Sequence, residues 1–505
     1  MLAAALAALL AVPARAAVVH IEAYDADGRL MDQAALRRLL DPRGASPTAG
    51  LRLSAPGGAA LEGRPWWVAG SSSPAWRWES GERMIATLPW PLPRDGYSTV
   101  TLDAGGEGYE DGRTLLINEE AARWAYTAMM ESLKERGLAW KPPYASSTKA
   151  KRLVADAKAA VADATGTAER RKRAARFDEA LAAVSLAWQQ VLFEHGRQTV
   201  ADAKRVPALR WGLSLDETVA SRVTAFEPLA RQLADAGADW VRVVFAVPPK
   251  DFVFSRPDSF TLYDELLKAL AARKLSVMGS VLDSQLWPAE LTPELYAERT
   301  RNLVTRYKDA VRVWEVASEP NGTWLGGRRP LADETILLCI QKAVIEVKRV
   351  DAGLETAATL HWWDGTAPDD RHGLHDWLAW AKERGFGAGL DSVGLSVYPH
   401  RHPLGLALEP AFQSLRRHFP GKTFYLGGWG FGDGTEPPPY WWLGPTDSDA
   451  ARKDLILLFN GAAPALLPES LGGGFYWGTL EHMLPAGRQP TTLYKLYRRS
   501  LKDLR

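Results

Sequence analysis

An α/β chain built on a (β/α)8 TIM barrel, preceded by a small β-sandwich domain and a helical hairpin, is the architecture that three observations predict. From residue 205 onward, eight short apolar runs alternate with helical repeats over about 300 residues, the usual length of a closed barrel of eight β/α units. No Gly-rich phosphate loop follows the first run, which argues against an open doubly wound sheet. Finally, VRVWEVASEPNGTW, residues 311–324, carries an apolar strand out into a Pro/Asn/Gly loop with Glu319 just past its end. The C-terminal ends of barrel strands are where this architecture keeps its chemistry.

Taken in order, residues 1–16 read as an export signal: the apolar run in MLAAALAALLAVPARAA ends at Ala14-Arg15-Ala16, an A-x-A cleavage pattern, although no Lys or Arg precedes it. The run is too short to span a bilayer as a mature helix, so a periplasmic or secreted protein is expected. Residues 18–118 carry short β-like runs (VVHIEAYD, LRLSA, PWWVAG, AWRWES, RMIATLPWP, YSTVTLD) between Gly, Pro and Asp turns, the pattern of a β-sandwich. Its Trp66, Trp67, Trp76, Trp78 and Trp90 are expected mainly in the sandwich core, with a carbohydrate-binding face as the alternative.

Residues 119–204 change to helical periodicity. Asn118 is a plausible N-cap for a helix closing at Gly137, and two longer helical repeats flank a turn near Gly166, giving a hairpin that spaces or braces the two β-containing parts. Arg170 to Arg173 read as a solvated face. Residues 205–505 then supply the barrel strands in ALRWGLSLD, DWVRVVFAV, LSVMGSVLD, VRVWEVASEP, ETAATLHWW, DSVGLSVYP, KTFYLGGWG and GGFYWGTLE, with helices between them.

Composition excludes several function classes. Lys and Arg number 61 against 60 Asp and Glu, so no global charge draws the chain to nucleic acid or an anionic membrane. The only cysteine, Cys339, lies in a helical pattern as a small apolar residue, and no intrachain disulfide can form. The 21 tryptophans suit a core, and they suit the apolar faces of sugar rings equally well.

These residues resemble the clan of (β/α)8 glycoside hydrolases that includes the family 10 xylanases and the family 5 and 39 glycosidases. RYKDAVRVWEVASEPNG is similar to the clan's fourth strand, so the resemblance implies Glu319 as general acid/base. SVLDSQLWP is similar to the xylanases' third strand, with Asp283 where they carry His; Arg242, Tyr398 and Trp477 match the second-strand arginine, sixth-strand tyrosine and eighth-strand tryptophan. Two positions depart from the pattern. Ser318 stands for the Asn that would bond a sugar 2-OH, and Phe424-Tyr425-Leu426-Gly427-Gly428-Trp429-Gly430 places Gly428 where the nucleophilic Glu belongs. A retaining mechanism needs a second carboxylate about 5 Å from the acid, and glycine has none.

Three readings are open at this position: an engineered, glycosynthase-type removal of the nucleophile; a natural enzyme using a displaced carboxylate or an external nucleophile such as phosphate; and a noncatalytic glycan-binding barrel. Displaced candidates are Glu481 and Asp433, on loops after strands eight and seven, with Asp216, Asp283 and Asp364 each competing with a role as helix cap or loop solvator. Glu315, four residues before Glu319, is expected one layer deeper in the barrel. Substrate contacts are expected from Arg242, Asp283, Ser318, Asn321, Trp324, His361, Trp363, Tyr398, Gly428, Trp429 and Trp477, with Trp441 and Trp442 extending the aromatic cleft. His400 and His402 lack an evident third ligand, so no metal site and no cofactor is expected. A β-linked oligo- or polysaccharide is the expected partner, with no nucleic acid and no stable membrane insertion; protein partners are not indicated.

Overall fold

The computed structural model describes residues 16–505 except 42–49, 62–65, 69–72, 93–95, 203, 205–208, 249, 364–366, 370, 433–447 and 487. The export-signal reading, Asp364, Asp433, Trp441 and Trp442 therefore lie outside the described residues.

Seven N-terminal strands form two small sheets: β1 (Ala17–Glu22), β2 (Arg52–Ser54), β3 (Trp66–Trp67), β4 (Ala75–Trp78), β5 (Ile85–Leu92), β6 (Gly96–Leu102) and β7 (Thr114–Leu116). One sheet has the order β3-β4-β1-β7, with β1 antiparallel to β4 but parallel to β7; the other is an antiparallel β2-β5-β6 meander-like sheet. Helix α1 (Gln33–Leu40) connects the two, capped by Asp32, whose side chain accepts from Ala35 N. Trp76, Trp78 and Trp90 are fully buried, so these rings belong to the core. Each large apolar side chain withdrawn from water in this way contributes about 1.5–3 kcal/mol.

Three helices follow: α2 (Ile117–Leu138), α3 (Thr148–Gly166) and α4 (Arg170–Ala201). Asn118 is not the cap of α2, which starts at Ile117; its amide instead donates to Tyr24 O and Asp178 and accepts from Tyr24 N, tying the helix to the first sheet. Ser147 caps α3 by accepting from Ala150 N. Along α4, Phe177, Leu181, Val184, Trp188 and Leu192 recur at helical spacing and are buried.

The eight predicted barrel strands are all present: β8 (Trp211–Leu215), β9 (Trp240–Val244), β10 (Ser276–Ser280), β11 (Val313–Ser318), β12 (Glu355–His361), β13 (Ser392–Val397), β14 (Thr423–Trp429) and β15 (Gly474–Tyr476). Each runs parallel to the next, and β15 closes on β8. Strands buried on both faces must be apolar nearly throughout, which is why they were readable as continuous runs. The helices between them have local start signals, such as Thr292 accepting from Leu295 N ahead of Pro293.

The N-terminal part does more than space the barrel from a second body. Thr99 N and Ser98 Oγ donate to Leu404 O, Thr99 Oγ1 donates to Pro403 O, and Ser98 Oγ accepts from Leu406 N, so the β6 strand clamps the loop that leaves β13. Arg52 makes a two-pronged pair with Asp376 at 2.7 and 2.6 Å. Deepest of all, Glu409 accepts from Ser132 Oγ and Trp188 Nε1 beside Arg136, whose Nη2 lies 2.8 Å from Glu409 Oε2 with both side chains almost fully buried. Among the described residues, no helix is long and apolar enough to cross a membrane.

Candidate active site

Two irregularities in otherwise regular strands shape the barrel mouth. In β11 the register to β12 slips between Glu315 and Ala317, so one extra residue resets the inward and outward alternation. Glu315 and Ser318, three residues apart, consequently both reach Arg242 Nη2. The next residue, Glu319, has φ +47, a left-handed conformation costly for a residue with a Cβ, and its side chain also faces the mouth cavity.

The second irregularity is in β14, where the register to β13 slips between Leu395 and Ser396 and leaves Gly427 as the extra residue. A Cβ at Gly427 would lie 2.1 Å from Thr359 Cγ2, so only glycine fits. At Gly428 the neighbours are the Tyr398 hydroxyl at 3.1 Å and Ser396 Cβ at 3.7 Å, a nearly open hollow facing the cavity. Trp429, one residue on, is turned away from the cavity, fully buried, with Nε1 donating to Gly473 O.

The cavity measures about 340 Å³, in the range of small-ligand sites. Glu319 sits in its wall. Its Oε1 accepts from Ser396 Oγ, Oε2 accepts from Ser284 Oγ at 3.3 Å, and His361 Nδ1 lies 3.4 Å from Oε1. Burial would raise this carboxyl, but the His361 imidazole, the Ser396 hydroxyl and Arg242 outweigh it and hold the group below its ordinary value. Asp283 goes the other way. Burial pushes it up to about 6, Arg242 opposes the rise and Glu319 adds to it. Asp283 Oδ1 caps the turn after β10 by accepting from Gln285 N, while Oδ2 accepts from Ser318 Oγ at 3.2 Å.

Arg242, on β9, is the cationic hub. Its Nε and Nη2 donate to Glu315 Oε2 at 2.9 and 2.6 Å, and Nη2 reaches Asp283 Oδ2 at 3.3 Å. Burial opposes its charge, and Glu315 and Asp283 outweigh that cost. Trp477 lies under the guanidinium, 5.5 Å from ring centre to Cζ. The Tyr398 ring stacks on His361 at 5.8 Å, and burial together with Glu319 and Asp283 keeps its hydroxyl protonated well beyond the usual range.

Of the residues singled out from sequence, Arg242, Asp283, Ser318, Glu319, Trp324, His361, Tyr398, Gly428, Trp477 and Glu481 share the cavity lining. Glu481 stands at the rim with its side chain 54% exposed, 3.9 Å from His482 Nε2. Three others do not line it. Asn321 is a loop clamp, accepting from His361 N and donating to His361 O and His372 O. Trp363 lies behind the wall, donating to His372 O and meeting Trp324 and His361 edge-on. Trp429 is a core residue, so Trp363 and Trp429 are absent from the cavity lining, whereas Trp324 and Trp477 are part of it. Asp216 closes a local turn, its Oδ1 accepting from Thr218 N at 2.9 Å, and does not cap the helix that follows, whose N-cap position is Thr218.

Sequence reasoning missed Ser396, Ser284 and Thr359, three small polar residues that fix the two glutamates. Thr359 Oγ1 donates to Glu315 Oε1, and Trp324 Nε1 donates to Ser284 Oγ, which in turn donates to Glu319. For Ser396 a signal existed: it lies two residues before Tyr398, on the same face of its strand.

No protein-family model matches the chain, and no curated protein sequence matches it. Solved structures do align. The GH53 catalytic domain of Ignisphaera aggregans aligns at 14% identity and a TM-score of 0.41, covering 58% of this chain and 96% of that one. A Thermotoga maritima family 1 glycoside hydrolase complexed with a cyclophellitol analogue gives 12% identity and a TM-score of 0.43, covering 59% and 98%. A family 5 glycoside hydrolase from Bacteroides vulgatus gives 12% and 0.39, covering 56% and 61%.

Proposed function

We propose that the barrel is a glycoside hydrolase-like protein acting on a β-linked oligo- or polysaccharide, with Glu319 as the proton-handling group and an atypical second group in place of a strand-seven nucleophile. The observation that carries the reading is Glu319 itself, a buried carboxyl in a left-handed conformation at the mouth end of β11, held by two serine hydroxyls and faced by His361. Strained, over-determined carboxyls of this kind are what acid/base chemistry uses.

Asp283 is the best second carboxyl. Two neighbouring acids whose surroundings push them in opposite directions, Asp283 up to about 6 and Glu319 down, form the pattern of an acid/base pair. Trp324 and Trp477 supply ring faces for a sugar, and the neutral Tyr398 hydroxyl supplies a donor. Export of the chain, read from its N-terminal apolar run, accords with a polymeric substrate met outside the cytoplasm. A second reading, a noncatalytic glycan-binding barrel, is favoured by one observation only, the glycine at position 428.

The test is calorimetric titration with ladders of β-glucan, xylan, chitin and mannan oligomers. At least one series should tighten with length, because each additional stacked ring adds about 0.5–1.5 kcal/mol beyond burial. Failure of every oligomer to bind, or a best ligand that is a monosaccharide, refutes the polysaccharide reading.

A further inference from the structure

Glu319 has a neighbour whose position is fixed by its surroundings. His361 ends β12, and the loop that carries Glu319 holds its backbone: Asn321 Oδ1 accepts from His361 N at 2.8 Å, and Nδ2 donates to His361 O at 2.9 Å. Glu319 N itself donates to Thr359 O at 2.7 Å, so the two residues keep one register. The buried His361 ring is boxed by four others. Trp324, Trp363 and His402 meet it edge-on at 5.0, 5.2 and 5.2 Å between ring centres, and Tyr398 stacks on it at 5.8 Å. Two of these walls are pinned in turn, since Trp324 Nε1 donates to Ser284 Oγ and Trp363 Nε1 to His372 O. A ring packed in this way keeps one rotamer. In that orientation Nδ1 lies 3.4 Å from Glu319 Oε1, at ion-pair separation, and neither ring nitrogen has a hydrogen-bond partner among the described residues. A buried imidazole without hydrogen bonds costs the fold stability, a cost typical of groups kept for a site rather than for packing.

From this geometry we infer that His361 is a positioning residue for Glu319: the caged imidazole keeps Oε1 in place and, when protonated, balances the ionised carboxyl between proton transfers. The role rests on the reading of Glu319 as the proton-handling group. Ser396 Oγ and Ser284 Oγ hold the same carboxyl but are neutral. Arg242 favours its ionised form too, yet that guanidinium is bound to Glu315 through Nε and Nη2, which leaves His361 as the cation in ion-pair reach. The other titratable groups around the pair are Tyr398 and His402, from the segment after β13, and Asp283, from the turn after β10. Tyr398 stays protonated, and Asp283 is turned to Ser318 and Gln285, so neither takes the imidazole from Glu319. His402 is the ring neighbour whose positive charge would oppose one on His361.

The test follows Glu319 directly in the full-length protein. With glutamate isotope-labelled at its side-chain carboxyl carbon, and Glu319→Gln to identify the resonance, an NMR titration reads the pH at which Glu319 takes up a proton. In His361→Phe, which keeps a ring in the cage but removes both nitrogens, that pH should rise, because an opposite charge that favours the ionised carboxyl has been lost. His361→Asn, which leaves an amide near the place of Nδ1 but no charge, should raise it as well, and carries the same test if His361→Phe fails to fold. On whichever oligomer of the β-glucan, xylan, chitin and mannan ladders is cleaved fastest, His361→Phe should lower kcat about 10- to 100-fold with KM nearly unchanged. The limb of the pH–rate profile set by Glu319 should move to higher pH, and His361→Asn should recover part of the lost kcat. Loss of packing alone would lower activity without moving the titration or that limb. An unmoved titration in a folded variant overturns the role, as does an unmoved limb. A moved titration in a protein that cleaves no oligomer sinks the glycoside reading and leaves the pairing standing, whereas an unmoved titration in an active enzyme sinks the role of His361 alone.

Discussion

Glu319→Gln should lower kcat/KM on the best natural oligosaccharide by about 10²- to 10⁴-fold, the usual contribution of a positioned acid/base, while leaving oligosaccharide affinity nearly unchanged. Gln keeps the length of the side chain and an oxygen that can still accept from Ser396 Oγ or Ser284 Oγ, so the wall of the cavity should hold its shape. What disappears is the exchangeable proton and the charge opposite His361. The loss should be greatest for natural sugars, whose leaving oxygens need a proton, and smaller for activated aryl glycosides. Steady-state kinetics on both substrate types checks this. Equal turnover by the two proteins on a natural oligomer would remove Glu319 from the chemistry.

Glu409→Ala should cost about 3–5 kcal/mol of stability, because it leaves the Arg136 guanidinium buried without its counter-charge. Ser132 Oγ and Trp188 Nε1 lose their acceptor in the same step. Arg136 and Ser132 belong to α2 and Trp188 to α4, whereas Glu409 opens the helix Leu408–His418 on the barrel, so the variant should loosen the joint between them. Urea unfolding followed by tryptophan fluorescence should show a midpoint well below that of the native protein. A change within about 0.5 kcal/mol would place this cluster among ordinary surface substitutions and contradict the view of α2 and α4 as an integral part of the barrel's packing.

The barrel was legible because its signals are local. A strand buried on both faces must be apolar throughout, and caps such as Ser147 and Thr292 announce helix starts within a few residues. Much of the mouth was legible for the same reason, since a carboxyl or aromatic residue just past a strand end faces the mouth in this architecture. The errors arose where neighbouring strands decide the outcome. The extra residues in β11 and β14 are set by register to β12 and β13, and they determine that Ser318 and Gly428 face the cavity while Trp429 does not. Asn321 and Trp363 went astray because both bond to His372 O, on a loop whose path cannot be read from either residue. Asn118 was misread as a cap because its partners, Tyr24 and Asp178, are distant in sequence. Ser396 and Ser284 were passed over because serine carries little pattern, although in the folded chain they hold the central carboxyl.

The structure of the protein with its tightest-binding β-linked oligomer is the most direct measurement of the central claim. The account predicts the chain lying across Trp324 and Trp477 with one glycosidic oxygen within hydrogen-bonding reach of Glu319, about 2.6–3.2 Å. An oligomer bound away from the barrel mouth, or bound there with only ring hydroxyls near Glu319, would contradict it.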